Sequence, residues 1–266
     1  MLTVARAVHP GLRRCLAAPM VAYDLLLPAD VAHVGLPSTA ATVVIAVDEA
    51  MDVGWFHEPE TSTRLWCSIS GLHLGPALIR THGLQRGIHL SVTPFGCRAL
   101  FGVPISAVAG CIVNMAELPG GISAVEHEAI VAKSTWDARL VAVEELLLSK
   151  LQTVRIAPDM NQAWALLTNG ARVSQVAGDV GWSRRHLVNR VRAEFGVSPK
   201  QISRLARFER AHRLVTTGMQ LAETAHEVGY ADQAHLSREW RVFAGRSPKA
   251  SSEEFPKLQD LLQSGS

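Results

Sequence analysis

Arg184, Arg185, His186, Asn189 and Arg192 fall within one short stretch of the chain, and Gln233, Ala234, His235, Arg238 and Arg241 stand at the same spacings 49 residues later. Neither set places a nucleophile beside a base or spaces ligands for a metal. Both are dominated by hydrogen-bond donors: guanidinium forks, a carboxamide and an imidazole. An arginine fork matches the O6 and N7 edge of guanine or a phosphate, and the carboxamide of Asn or Gln matches the edge of adenine. The chemistry on offer is noncovalent recognition of a polyanion with a readable edge. No catalytic residue follows from it.

The surrounding residues must position these side chains, and they form a repeat. VSQVAGDVGWSRRHLVNRVRAEFGVSP (173–199) is a relative of LAETAHEVGYADQAHLSREWRVFAGRSP (221–248). Ala177 aligns with Ala225, Val180 with Val228, Gly181 with Gly229 and Trp182 with Tyr230 at an offset of 48. Leu187 aligns with Leu236, Val191 with Trp240, Gly196 with Gly245 and Pro199 with Pro248 at an offset of 49, so one residue is inserted in the turn. In the first copy Val173, Val176, Ala177 and Val180 make one apolar stripe of a helix. Gly181 follows where the chain must reverse, a backbone conformation that glycine adopts cheaply. Ser183 is a suitable N-cap for a second helix with Leu187, Val191 and Phe195 inward and the donors outward. This is a helix-turn-helix, and its second helix fits a major groove.

Between the copies, Ser198 caps, Pro199 opens and Gly218 closes a long helix striped by Ile202, Leu205, Phe208, Ala211, Leu214 and Val215. A rigid joint of this kind fixes the separation of the two outward helices. Entering adjacent major grooves on one face of a duplex requires about 34 Å. The charge agrees: residues 172–249 hold 14 Lys/Arg against 7 Asp/Glu, a net of +7, while residues 1–157 hold 11 against 13, a net of −2. The basic segment is the footprint of a polyanion partner.

These residues resemble the AraC/XylS transcriptional regulators over roughly 160–250, through both helix-turn-helix units, the linking helix with Arg207 and Ala211, and the closing Gly245–Pro248. The resemblance implies that base reading falls to Arg185, Val188 and Asn189 in the first unit and Gln233, Ala234 and Arg238 in the second. Ser183, Arg184, His186, Arg192, His235 and Arg241 are then flanking or phosphate contacts. Val188 and Ala234 offer no hydrogen bond and can only touch a thymine methyl. Val191 stands where that family usually has an aromatic. Pro256 interrupts the helix that would normally follow Pro248.

The N-terminal half reads as strands at 41–47, 65–70, 77–81 and 86–93, short and rich in β-branched residues. Helical patterns follow from Pro94 and again from about Val125. The expected fold class is α+β: a small β-barrel or sandwich with flanking helices, then an all-α domain of two helix-turn-helix units joined by a long helix. The resemblance implies that the barrel is cupin-like and senses an effector. The expected divisions are a sensing and dimerisation domain at 1–157, a DNA-binding domain at 158–250 and a tail at 251–266. Pro158 stops one helix at the boundary and Asp159 is placed to cap the next. The amphipathic helix of 137–151, with Leu140, Val143, Leu147 and Leu151 on one face, either packs on the barrel or pairs with a second protomer.

Other chemistry is thinner. His57, His73, His82 and His89 fall near strands, but with no His-x-His or His-Glu-x-x-His spacing they read as polar edge residues, and no metal or cofactor is expected. Without C-x-x-C pairs, Cys15, Cys67, Cys97 and Cys111 read as reduced thiols. Cys67, Cys97 and Cys111 lack the basic neighbours that would activate them as sensors. Trp55, Phe56 and Trp66 line either a ligand pocket or the core. With no signal peptide and no membrane span in the pattern, a cytoplasmic location is expected. The expected partners are double-stranded DNA and a small-molecule effector, with RNA polymerase and a second copy of the chain as further candidates. The competing reading is a cupin-type metal enzyme with an appended DNA-binding domain.

Overall fold

The computed structural model describes residues 2–27, 32–80, 82–154 and 157–252. Its N-terminal part holds ten strands: β1 (Leu2–Arg6), β2 (Met20–Leu26), β3 (Ala32–Gly35), β4 (Ala41–Ala46), β5 (Met51–Trp55), β6 (Glu58–Leu65), β7 (Cys67–Ser70), β8 (Ala77–Arg80), β9 (Leu84–Val92) and β10 (Ile112–Asn114). They form a six-stranded sheet in the order β1-β2-β9-β4-β7-β10 and a four-stranded sheet in the order β3-β8-β5-β6. All pairings are antiparallel. The expected strands at 41–47, 77–81 and 86–93 correspond to β4, β8 and β9. The expected strand at 65–70 is divided, since β6 ends at Leu65 and β7 begins at Cys67.

Side-chain parity gives the larger sheet two different faces. Val43, Leu90 and Ile69 stand side by side in register, as do Ile45, Ile88 and Cys67. All six are buried in one cluster with Leu100, Phe101, Leu140, Val143 and Leu147 of the helices. The opposite face carries Thr42 beside Ser70, and Val44 between His89 and Ser68. That face looks toward the smaller sheet. One side of the sheet is therefore mainly a packing surface, with Asp24 and Arg86 paired on it, and the other mixes polar with apolar groups.

The helices are α1 (Pro94–Phe101), α2 (Ala124–Val131), α3 (Trp136–Lys150), α4 (Pro158–Thr168), α5 (Val173–Asp179), α6 (Arg184–Phe195), α7 (Pro199–Thr216), α8 (Leu221–Glu227), α9 (Gln233–Ala244) and α10 (Pro248–Ser252). Helix α3 packs its Leu140, Val143 and Leu147 into the sheet-backed core, while Leu151 remains 38% exposed. Packing on the sheet is thus its main role in the single chain. At the start of α4 the expected cap is corrected: Pro158 is the first helical residue, Ala157 occupies the N-cap without a side-chain bond, and Asp159 lies in the first turn. Proline needs no partner for its nitrogen there, so the helix opens without a capping oxygen. Most of the expected tail, and residues 155 and 156 at the boundary, lie outside the described residues. Among the described residues no helix is long and apolar enough to cross a membrane.

Candidate nucleic-acid interface

Each helix-turn-helix forms as its residues dictate. Gly181 and Gly229 turn the chain at φ +70° and +80°, the left-handed region that side chains disfavour. Ser183 caps α6 by accepting the His186 N–H, and Asp232 caps α9 by accepting the His235 N–H. Leu187, Val191 and Phe195 are fully buried, as are Leu236, Trp240, Phe243 and Ala244 at the same face of α9. Glycines at φ +75° and +71°, Gly196 and Gly245, end the two helices.

The inward faces leave the residues expected to contact DNA outside. Arg184, Arg185, His186, Asn189 and Arg192 on α6 are exposed, and Val188 is half-buried beside them. Gln233, Ala234, Arg238 and Arg241 on α9 are exposed, and His235 is half-buried. Every expected reading residue therefore sits on the free face of its helix. The turn aromatic and the first-turn histidine meet edge-on in both units, Trp182 with His186 at 5.0 Å and Tyr230 with His235 at 5.1 Å between ring centroids. A guanidinium lies over each aromatic, Arg190 over Trp182 and Arg207 over Tyr230. This repeated pairing was legible in the alignment but not expected from it.

Helix α7 joins the units as a solid strut. Ser198 and Gln201 exchange bonds in a capping box, and Ile202, Leu205, Phe208 and Ala211 are buried. Glu239, buried on α9, accepts from Arg204 Nε at 2.5 Å and from Arg207 at 3.3 Å, both on α7. Phe208 meets Trp240 edge-on and Phe243 at a tilt, with centroids 5.4 and 4.9 Å away. The second recognition helix thus has its orientation fixed by α7 through charge and ring contacts.

The N-terminal part grips both recognition helices at matching places. Arg98 donates two hydrogen bonds to the Glu194 carboxylate, at 2.8 and 2.7 Å, near the end of α6. This bidentate bond raises the arginine above its ordinary pKa. Ser106 donates to the Ala193 carbonyl at 2.8 Å, and a Cβ on Gly196 would collide with Ala109. At the second helix, a Cβ on Gly245 would come within 2.9 Å of the Phe56 ring. Gly196 and Gly245 are equivalent positions of the repeat. Val34 and Leu36 share a buried cluster with Phe208, Trp240 and Phe243.

A helix-turn-helix domain model matches residues 176–253. These residues are an AraC-type helix-turn-helix domain. Two solved structures share the architecture of nearly the whole chain: an apo variant of ToxT from Vibrio cholerae, at TM-score 0.55 and 10% identity over 92% of this chain and 98% of that one, and ToxT from Vibrio cholerae O395, at TM-score 0.53 and 10% identity over 93% and 99%. The C-terminal domain of AraT from Geobacillus stearothermophilus is 22% identical over 38% of this chain and 90% of its own, at TM-score 0.36. No curated protein matches the sequence. The AraC-type domain carries all twelve residues singled out for DNA contact, seven on α6 with its cap Ser183 and five on α9.

The N-terminal candidates fall differently. His57 and His82 are exposed, but His73 and His89 are buried, so reading them as edge residues is corrected. Both face the space between the sheets, where a second sheet covers what would otherwise be a solvent face. His33, not singled out from the sequence, joins them there. Burial pushes all three imidazoles down to about 4, so they are neutral at pH 7. Among the described residues no group of three or more His, Cys, Asp or Glu is placed to hold a metal ion. Cys15, Cys67 and Cys97 are buried with thiols pushed up by desolvation, Cys67 and Cys97 to about 12, and Cys111 is exposed. Trp55, Phe56 and Trp66 do not gather around a pocket. Trp55 packs on His73, Phe56 on Gly245, and Trp66 is half-exposed near His127.

Proposed function

We propose that this chain is a sequence-specific transcription regulator that reads two adjacent major grooves with α6 and α9 and responds to a small molecule through its N-terminal domain. The observation that carries this is the pair of exposed, donor-rich recognition faces on one AraC-type domain, joined by α7 and touched by the N-terminal domain at equivalent helix ends. Two readers on one chain let a monomer recognise an asymmetric site. The grip on Gly196 and Gly245 gives the N-terminal domain a purchase on both readers at once, so a ligand that changes its shape changes the population of DNA-competent states. In this reading the chain is not an enzyme, and it acts in the cytoplasm with DNA as its partner. Contact with RNA polymerase and pairing through α3 are further parts of the proposal.

The test is selection of sites from random duplex DNA with the full-length protein at physiological salt. Two unlike elements with centres about 10 base pairs apart are expected. Arg185→Ala and Arg238→Ala should each weaken the selected site by about 1–3 kcal/mol and relax preference at one or two positions. Equal losses on selected and random DNA would assign these arginines to phosphates.

A further inference from the structure

The cavity between the two sheets is built for more than packing. It measures about 80 Å³. At roughly 12 Å³ per small group, that is room for about six non-hydrogen atoms. Its walls include Val44, Val53 and Ile79 but also Thr42, Ser68 and His89. On the helix-covered face the polar side chains Asp24 and Arg86 are paired with each other, whereas the cavity face holds polar side chains among apolar ones. Burying them is costly unless each finds a partner.

Two polar atoms do not. Nδ1 of His89 and Nδ1 of His33 are buried without a hydrogen-bond partner, and both residues line the cavity. His89 is only 4% exposed. The third imidazole is committed differently: His73 Nδ1 donates to the Gly75 carbonyl at 2.5 Å. In the neutral ring that makes Nε2 an acceptor. The cavity is therefore lined by His73 and by the unmet imidazole nitrogens of His33 and His89.

Charge narrows the class of occupant. No Lys, Arg, Asp or Glu is among the described residues of the wall. An ionised ligand entering here would lose its water with no opposite charge to replace it. A hydrocarbon alone would leave the imidazole nitrogens unmet. A neutral molecule with a hydroxyl satisfies both conditions, since its O–H donates to a bare imidazole nitrogen and its carbon skeleton fills the apolar wall.

We propose that this cavity is the effector site, and that it takes a small neutral alcohol, mostly hydrocarbon, of about six non-hydrogen atoms held by its hydroxyl between His33, His73 and His89. The proposal rests on the regulator reading and names its ligand class. It also gives a route to the DNA-binding domain. Val34 and Leu36 line the cavity and belong to the buried cluster of Phe208, Trp240 and Phe243.

The experiment titrates full-length protein, labelled with ¹⁵N in its histidine rings, with cyclopentanol and separately with cyclopentanecarboxylate. Cyclopentanol should give a saturable shift of the ring nitrogens of His33 and His89, and the carboxylate should give none. His89→Leu removes an unmet polar atom, so it should fold at least as well as the parent and weaken cyclopentanol tenfold or more. Val44→Phe fills the space from another strand and should block binding independently. The proposal is overturned by any of three results: no saturable shift with the alcohol, a carboxylate that binds as well, or unchanged affinity in both variants. Site selection on random DNA runs on the same preparations. Protein that selects a site but ignores cyclopentanol sinks the cavity proposal alone. Protein that binds cyclopentanol but selects no site keeps the ligand site and sinks the regulator reading.

Discussion

Acidification should destabilise the N-terminal sandwich in a window set by its buried histidines. His73 and His89 are 8% and 4% exposed, and burial holds both near a pKa of about 4 against an ordinary value of 6.5. The unfolded chain takes up these protons as pH falls through 6.5, whereas the folded chain refuses them until about 4. Their contribution to stability is therefore complete above pH 6.5 and is lost progressively between 6.5 and 4. Inside that window each histidine changes stability by about 1.4 kcal/mol per pH unit. From pH 7.5 to 5 the loss is about 2 kcal/mol apiece, or about 4 kcal/mol for the pair, and His33 adds a third proton of the same sign. Against a typical total of about 5–15 kcal/mol this is a large fraction. Glu144 is held below the usual carboxylate range by its bond to Arg6, so its loss falls lower in pH and does not blur the window. Glu209, raised by burial near Thr39, has the opposite sign and offsets part of the effect. Urea unfolding followed by circular dichroism at pH 7.5, 6.5, 5.5 and 5 measures the slope. His89→Leu should flatten it by about 1.4 kcal/mol per pH unit. A parent whose stability is level from pH 7.5 to 5, or a variant with the parent's slope, would refute the assignment.

Five other substitutions probe the joints of the DNA-binding domain. Gly245→Ala should cost more than Gly229→Ala: both lie at positive φ, but only the first meets the Phe56 ring. The shared backbone term is about 1–2 kcal/mol, and Phe56→Ala should abolish the excess in thermal melts. Glu239→Gln loosens two bonds to arginines that are 32% and 24% exposed at their side chains. The expected loss is about 1–2 kcal/mol, below the figure for a fully buried pair. Glu194→Gln should leave global stability within about 1 kcal/mol, yet speed hydrogen exchange at the end of α6, where Arg98 now holds it.

The helix-turn-helix units were legible because their information is local. The positive-φ glycines, the caps, the apolar stripes and the donor-rich faces all lie within a few residues of one another, and the repeat states them twice. Strands β4, β8 and β9 were legible for the same reason. Strand β6 was not: EPETSTRL is mostly exposed and carries no apolar alternation. Strand β2 is almost wholly buried, and its near-continuous apolar run lacks the period that marks a half-covered strand. The histidine cluster shows a different limit. Parity separates His89 from Ile88 and Leu90, so the sequence does reveal two faces. Which face a second sheet covers depends on pairings far along the chain, and no residue near His89 announces them. The same holds for Phe56 against Gly245 and Arg98 against Glu194, contacts that only the folded chain brings together.

Two residues of the cavity wall, Val34 and Leu36, pack in the same buried cluster as the second recognition helix, and this makes coupling between them measurable. Val34 is 2% exposed, lines the cavity and packs in the cluster of Phe208, Trp240 and Phe243. A ligand that moves this strand must move its packing against α7 and α9, or give up contacts on one side. If the cavity is coupled to DNA binding in this way, cyclopentanol affinity measured with and without the selected site should differ by the same factor as DNA affinity with and without cyclopentanol, because the coupling free energy is reciprocal. Val34→Ala trims the shared contact and should bring that factor toward one while leaving each affinity, measured alone, within a few-fold of the parent. A variant with the parent's coupling factor would rule out this wall as the route. The signal would then have to pass through Phe56 to the end of α9, or through Ser106, Ala109 and Arg98 to the end of α6.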